Sequence, residues 1–154
     1  MKRLCLARQV SLCLFFAHAA SAQVCLPIAS LRVTSAYGFR NHPISGQVDF
    51  HGGVDLAAKH AIVYAALDGR VTSCSENPYL GKFIRIAHGE IQSVYGHLSA
   101  ILTTQEVWVK AGEPIGISGN TGRSTAEHLH FSVLYRNKPI HPLKFLLQLQ
   151  IAGQ

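Results

Sequence analysis

Charge is scarce in this sequence: Asp, Glu, Lys and Arg make up 14% of its 154 residues, against roughly 25% in an average soluble domain. Acidic residues are the scarcer sign, eight against 14 basic ones, for a formal net charge of +6. Runs of like charge, low-complexity tracts and internal repeats are all missing, which excludes a charged tail, a flexible linker and a solenoid. Glycine and proline, 13 and 6, are dispersed rather than clustered. With 48% hydrophobic residues, the chain is not intrinsically disordered. No apolar run approaches the ~20 residues that a membrane-spanning helix needs. At this length there is room for one compact domain and little else.

What is present begins with a leader. Lys2, Arg3 and Arg8 precede an apolar stretch from Val10 to Ala20, and the small-residue run Ala20-Ser21-Ala22 follows. This reads as a secretory signal peptide over residues 1–22, with 23–154 as a single mature domain. Cleavage there removes three of the 14 cations and keeps all eight anions, so the net charge falls from +6 to +3. That is too weak for a nucleic-acid footprint. Leu12-Cys13 and Val24-Cys25 lack the small residue that lipid attachment requires before the cysteine. The expected protein is therefore exported, to a periplasm or to the cell exterior and wall, with no nucleic-acid partner and no stable membrane insertion after cleavage. Of the four cysteines, Cys5 and Cys13 fall in the leader. Cys25 and Cys74 remain, and an oxidising compartment predicts a disulfide between them. Neither has a neighbouring Cys, which argues against a Cys-based metal site.

From Leu31 onward, short β-branched runs alternate with turn chemistry. Strands are predicted over Ala61–Ala65, Arg70–Cys74, Phe83–Ala87, Ile91–Tyr95, Glu106–Val109 and His128–Leu134. Asp68-Gly69, His88-Gly89, Ala111-Gly112 and Ser118-Gly119-Asn120-Thr121-Gly122 separate them and favour tight turns. The pattern is mainly antiparallel β. Phe83–Ala87 and Ile91–Tyr95 form one expected hairpin, and Pro142–Leu149 forms a short C-terminal helix with its proline in the first turn. Trp108 is expected half-buried on its strand.

Three segments gather the histidines that matter: His51-Gly52-Gly53-Val54-Asp55, Tyr95-Gly96-His97-Leu98 and His128-Leu129-His130-Phe131. In extended chain, residues i, i+2 and i+4 share a face, which groups His51 with Asp55 and His128 with His130. A helix would also align His51 with Asp55, but Gly52 and Gly53 each disfavour one by roughly 1 kcal/mol. Two imidazoles, one carboxylate and an open fourth position suit a catalytic zinc. His51, Asp55 and His130 supply that set. Such a metal lowers the pKa of water toward ~7 and polarises a carbonyl, which leaves His97 and His128 as proton-handling or oxyanion-stabilising groups. Each segment alone is weak, since an H-x-H in a strand is more often a surface or core pair. Their joint presence in an exported β domain is what informs. His60, His88 and His141 lie beside turns or loops and are read as exposed or structurally hydrogen-bonded. Tyr79 is a candidate either to line a groove or to pack against the fold, with neither role favoured.

These segments, together with Tyr37-Gly38-Phe39-Arg40, His42-Pro43-Ile44, Tyr64-Ala65-Ala66, Asp68-Gly69-Arg70-Val71 and Gly116-Ile117-Ser118-Gly119-Asn120-Thr121-Gly122, resemble in order the catalytic core of the lysostaphin and LytM type of zinc metallopeptidases. The likeness covers about Ser35 to Pro142. It implies an antiparallel β domain of the duplicated-hybrid-motif type with a substrate groove, one zinc ion per chain, and hydrolysis of peptide bonds in peptidoglycan stem peptides or cross-bridges. It also implies His51, Asp55 and His130 as ligands and His97 and His128 as catalytic groups, and leaves Arg40 and His42 without a role. Two departures stand out: Ala126-Glu127 precedes His128 where the family often has a small pair, and Ser132 stands where a Glu is common. The alternatives are a non-catalytic wall-binding or regulatory domain of the same fold, and an accessory subunit of an envelope-spanning secretion or conjugation machine.

Overall fold

The computed structural model describes residues 23–41 and 46–152; the expected leader and His42 lie outside the described residues. Twelve strands and one helix follow in chain order: β1 (Val33–Ser35), β2 (Gly38–Asn41), β3 (Val48–His51), β4 (Val54–Ala57), β5 (Ile62–Tyr64), β6 (Gly69–Asn77), β7 (Gly81–His88), β8 (Ile91–Ile101), β9 (Trp108–Val109), β10 (Pro114–Ser118), β11 (His128–Tyr135), β12 (Lys138–Ile140) and α1 (Pro142–Ala152). The main sheet runs β1-β4-β11-β8-β7-β6-β9, with β12 on β11 and β10 bridging β8 to β5, while β2 and β3 form a separate two-stranded sheet. All pairings are antiparallel, as the turn-punctuated sequence predicts.

Period-two patterning places the core and the chemistry on opposite faces of the same strands. On β11, Leu129, Phe131 and Val133 are fully buried, so His128 and His130 point the other way. On β4, Val54 and Leu56 are buried and Asp55 lies between them facing outward. Register completes the placement, because β11 pairs His130 with Asp55 of β4 on one side and with Gly96 of β8 on the other. A slip of one residue would send both histidines into the core.

Strand β8 changes partner midway. Its first half, Ile91–Gly96, pairs with β11, whereas Leu98–Ile101 pair with β10. The switch falls at His97, whose φ of 59° is a left-handed conformation uncommon for a non-glycine residue. The His97 N–H donates to the Leu80 carbonyl at 2.6 Å, tying the bend to the β6–β7 turn. Below it Tyr95 packs against Phe131 at 5.3 Å between centroids, and its hydroxyl oxygen accepts the Ala66 N–H at 2.8 Å. Complete burial pushes the Tyr95 phenol up to about 12.

Two expectations are corrected. Cys25 and Cys74 are free thiols, not a disulfide. The Cys25 backbone is held on the Ala66 carbonyl with its sulfur beside Gly112, while the Cys74 sulfur faces the Thr103 carbonyl at 3.8 Å. Trp108 is 73% exposed rather than half-buried, because on the two-residue edge strand β9 Val109 takes the inward position at 2% exposure.

Candidate metal centre and its cleft

Residues 51–55 are not one extended strand. Strand β3 ends at His51, the chain bends at Gly52 and Gly53, and β4 begins at Val54. The bend brings His51 Nε2 to 3.2 Å from Asp55 Oδ1. Gly53 is required there by close approach, since a Cβ on it would sit 2.7 Å from the His130 ring and 2.7 Å from the Phe131 carbonyl oxygen. From β11, His130 Nδ1 reaches Asp55 Oδ1 at 2.9 Å and His51 Nε2 at 3.1 Å. Sequence reasoning grouped these three residues, and the fold brings them together.

The donor set fits a divalent cation of the zinc type. His51 Nδ1 lies 2.9 Å from the Ala36 carbonyl, so in the form that would bind a metal Nδ1 carries the proton and Nε2 offers its lone pair inward. Two imidazole nitrogens and one carboxylate oxygen thus converge, all ligand atoms lying within 4.8 Å of one another, in the ligand chemistry that suits zinc better than magnesium or calcium. Burial opposes ionisation of Asp55, but hydrogen bonds from His128, His130 and His51 outweigh it and hold the carboxyl well below the usual carboxylate range.

His97 and His128 stand beside this group, their rings 4.6 Å apart. Each is anchored through Nδ1, His97 on the Thr121 carbonyl and His128 on the Ala126 carbonyl, both at 2.8 Å. That leaves Nε2 of each toward the cleft. Burial lowers His97 to about 4, against its bond to Thr121. Burial also opposes protonation of His128, but the Asp55 carboxylate and the Ala126 carbonyl reverse it and raise its pKa. Burial lowers His130.

The cleft over these groups is a cavity of about 340 Å³ with Arg40, Phe50, Tyr79, Arg123 and Ser124 in its walls. Ser124 Oγ contacts His128 Nδ1 at 3.2 Å. Ser124, Arg123 and Phe50 were not singled out from the sequence; for Arg123 and Ser124 the signal was a polar Ser/Thr-bearing loop ahead of H-L-H. Tyr79 does line the groove. The remaining histidines among the described residues stay outside it. His88 bonds the Asp68 carbonyl at 2.7 Å and Ser93 Oγ at 2.8 Å, His141 packs on Tyr37, and His60 lies 3.4 Å from Glu127.

Comparison with known proteins follows the same residues. Residues 49–142 match the model of the family described as peptidase family M23. The peptidoglycan DD-endopeptidase ShyB of Vibrio cholerae is 40% identical over 116 residues, covering 73% of this chain and 27% of that protein. The DD-carboxypeptidase/endopeptidase Mpg of Neisseria meningitidis is 36% identical over 123 residues, 79% of this chain and 28% of its own length. The chain thus spans about a quarter of the length of these curated relatives. Among solved structures, a zinc-containing peptidase from Vibrio cholerae superposes with a TM-score of 0.70 at 37% identity, over 78% of this chain and 39% of that one. The catalytic domain of lysostaphin from Staphylococcus simulans gives 0.69 at 30% identity, over 76% of this chain and 92% of that one.

Proposed function

The chain belongs to peptidase family M23, and from that membership we propose that it is an exported, zinc-dependent endopeptidase that hydrolyses peptide bonds of bacterial peptidoglycan. The observation that carries the reading is the convergence of His51 Nε2, Asp55 Oδ1 and His130 Nδ1 on one wall of a cleft that also holds His97 and His128. A non-catalytic domain of the same fold has no need to keep all five groups.

Zinc held by His51, Asp55 and His130 would supply a Lewis acid that polarises the scissile carbonyl and acidifies water. The chain's own residues do the rest. With Nδ1 of His97 and His128 fixed on carbonyl oxygens, each Nε2 is pre-aimed at the cleft, so one imidazole takes a proton from the attacking water while the other hydrogen-bonds the developing oxyanion. Asp55 faces three imidazoles through Oδ1 alone, which orients the rings before substrate arrives. Phe50 and Tyr79 wall the cleft and limit water around the reacting amide.

The protein lacking residues 1–22 should release soluble muropeptides from purified sacculi, stop when chelated and resume on addition of zinc. Sacculi left intact by zinc-loaded protein would refute the hydrolase reading.

A further inference from the structure

Strand β8 carries one residue more than its partner β7 at the point where His97 lies. Tyr95 is opposite Ile84 and Leu98 is opposite Lys82, so Gly96 and His97 of β8 face Phe83 of β7 alone. Such a bulge re-aims a side chain and leaves part of the ladder unmade. The segment Ser118-Gly119-Asn120-Thr121-Gly122, read from the sequence only as a turn, is packed onto this bulge. A Cβ on Gly81 would collide with the Thr121 hydroxyl and backbone, and a Cβ on Gly122 with the Gly81 amide. The loop and the start of β7 therefore touch with no room between them.

Thr121 makes three bonds around His97. Its hydroxyl accepts the Lys82 N–H at 3.0 Å and donates to the Leu98 carbonyl at 2.8 Å, bridging the residue pair that closes the bulge. Its own carbonyl meets His97 Nδ1 at 2.8 Å. A carbonyl oxygen has no proton to give, so this contact sets the proton on Nδ1 and leaves Nε2 for the cleft. Thr121 itself does not line the cleft, and both bonds of its hydroxyl go to backbone beside His97. None of the bonds that hold His51, Asp55 and His130 involves Thr121.

We propose that Thr121 is the positioning residue of His97: its hydroxyl locks the bulge, so that its carbonyl fixes the tautomer and direction of the imidazole. The catalytic weight of this role rests on the reading of His97 as a proton-handling group. A left-handed φ of 59° at a histidine persists only where the surrounding structure imposes it, and the loop bearing Thr121 is part of that surrounding. Without the hydroxyl, the Lys82 N–H and the Leu98 carbonyl lose a shared partner. The loop is then free to shift against the bulge, and the ring loses its fixed acceptor.

The test compares the zinc-loaded wild type with Thr121→Val, which keeps the shape and removes the hydroxyl, and with Thr121→Ser, which keeps the hydroxyl. On a soluble peptidoglycan fragment, Thr121→Val should lower kcat about 10- to 100-fold, the scale of misplacing a catalytic group, with KM within about twofold and zinc content unchanged. Thr121→Ser should recover most of the loss. In a His97→Ala background Thr121→Val should cost less than about twofold more, because no imidazole is left to position. A loss of the same factor in both backgrounds, or full-rate hydrolysis by Thr121→Val, would overturn the proposal. A second measurement needs no turnover: magnetic resonance of the ring nitrogens in isotope-labelled protein, with the His97 signals identified by their absence from His97→Ala. They should show Nδ1 protonated in the wild type and Thr121→Ser, and a mixture of tautomers in Thr121→Val. Where Thr121→Val fails to fold, Thr121→Ala takes its place, and a wild-type ring protonated on Nε2 overturns the proposal by itself. Unchanged ring signals in the folded variant remove the positioning role whether or not the protein hydrolyses sacculi. A shifted ring in a protein that leaves sacculi intact keeps that role and removes the hydrolase.

Discussion

At the residue scale, the five groups of the centre divide by what each would lose. His130 meets Asp55 and His51 directly, so His130→Ala should lose zinc and activity together, as read by elemental analysis and muropeptide release. His97→Ala and His128→Ala should retain zinc and slow hydrolysis by about 10²- to 10⁴-fold. If both hydrolyse sacculi at the full rate, neither handles a proton. His88 offers a prediction away from the metal. Burial lowers its pKa, against the pull of the Asp68 carbonyl, so the folded state binds fewer protons than the unfolded state, where imidazole titrates near ~6.5. Its contribution to stability is complete above that value and declines as pH falls through it. Denaturation at pH 8 and pH 5 should show a smaller acid loss in His88→Gln than in the wild type. His128 and His130 were legible as a pair because two residues apart on a strand is the same face, whereas His51 and Asp55 meet across a glycine bend and not along one strand. Arg40 had no legible role, since a guanidinium near a carboxylate carries no spacing signature.

At the scale of elements, the longer strands with inward β-branched or aromatic residues were readable, and the short or proline-bearing ones were not. Strands β6, β7, β8 and β11 follow the predicted runs, and α1 continues past Leu149 to Ala152. The first four strands escaped because they are short and β1 to β3 are largely exposed, which leaves no alternation to detect. Pro114 opens β10, which pairs with both β5 and β8, and Pro139 sits in β12 on β11; a proline inside a short run weakens its strand signal. The second half of β8 was missed because Gly96-His97 reads as a stop, whereas the left-handed His97 turns the strand instead of ending it. Burial separates the consequences of substitution. Leu129→Ala on β11 should cost about 2–5 kcal/mol, while Phe39→Ser on β2, where Phe39 is 80% exposed, should stay within about 0.5 kcal/mol; chemical denaturation measures both. Gly53→Ala should behave unlike either. Its methyl would displace the His130 ring, and such misplacement is worth about 10²-fold in rate, with zinc content falling in parallel.

On the scale of the whole molecule, no cross-link is needed to hold the N-terminal segment. Ile28 is 2% exposed within the core, and backbone bonds tie residues 25 and 27 to Ala66 and Tyr64. Alkylation under denaturing, non-reducing conditions should therefore label both Cys25 and Cys74, and a mass consistent with their cross-link would contradict the free thiols. The position of β11 has a further consequence, which concerns time rather than space. This strand, among the last to be made, lies between β4 and β8 at the middle of the sheet, and its His130 faces an Asp55 synthesised 75 residues earlier. Until the ribosome has delivered that strand, β4 and β8 have no neighbour to share and the carboxylate has no second imidazole. A nascent or truncated chain ending before His128 carries His51, Asp55 and His97 but neither His128 nor His130, so the proposed centre is assembled only with the completed sheet.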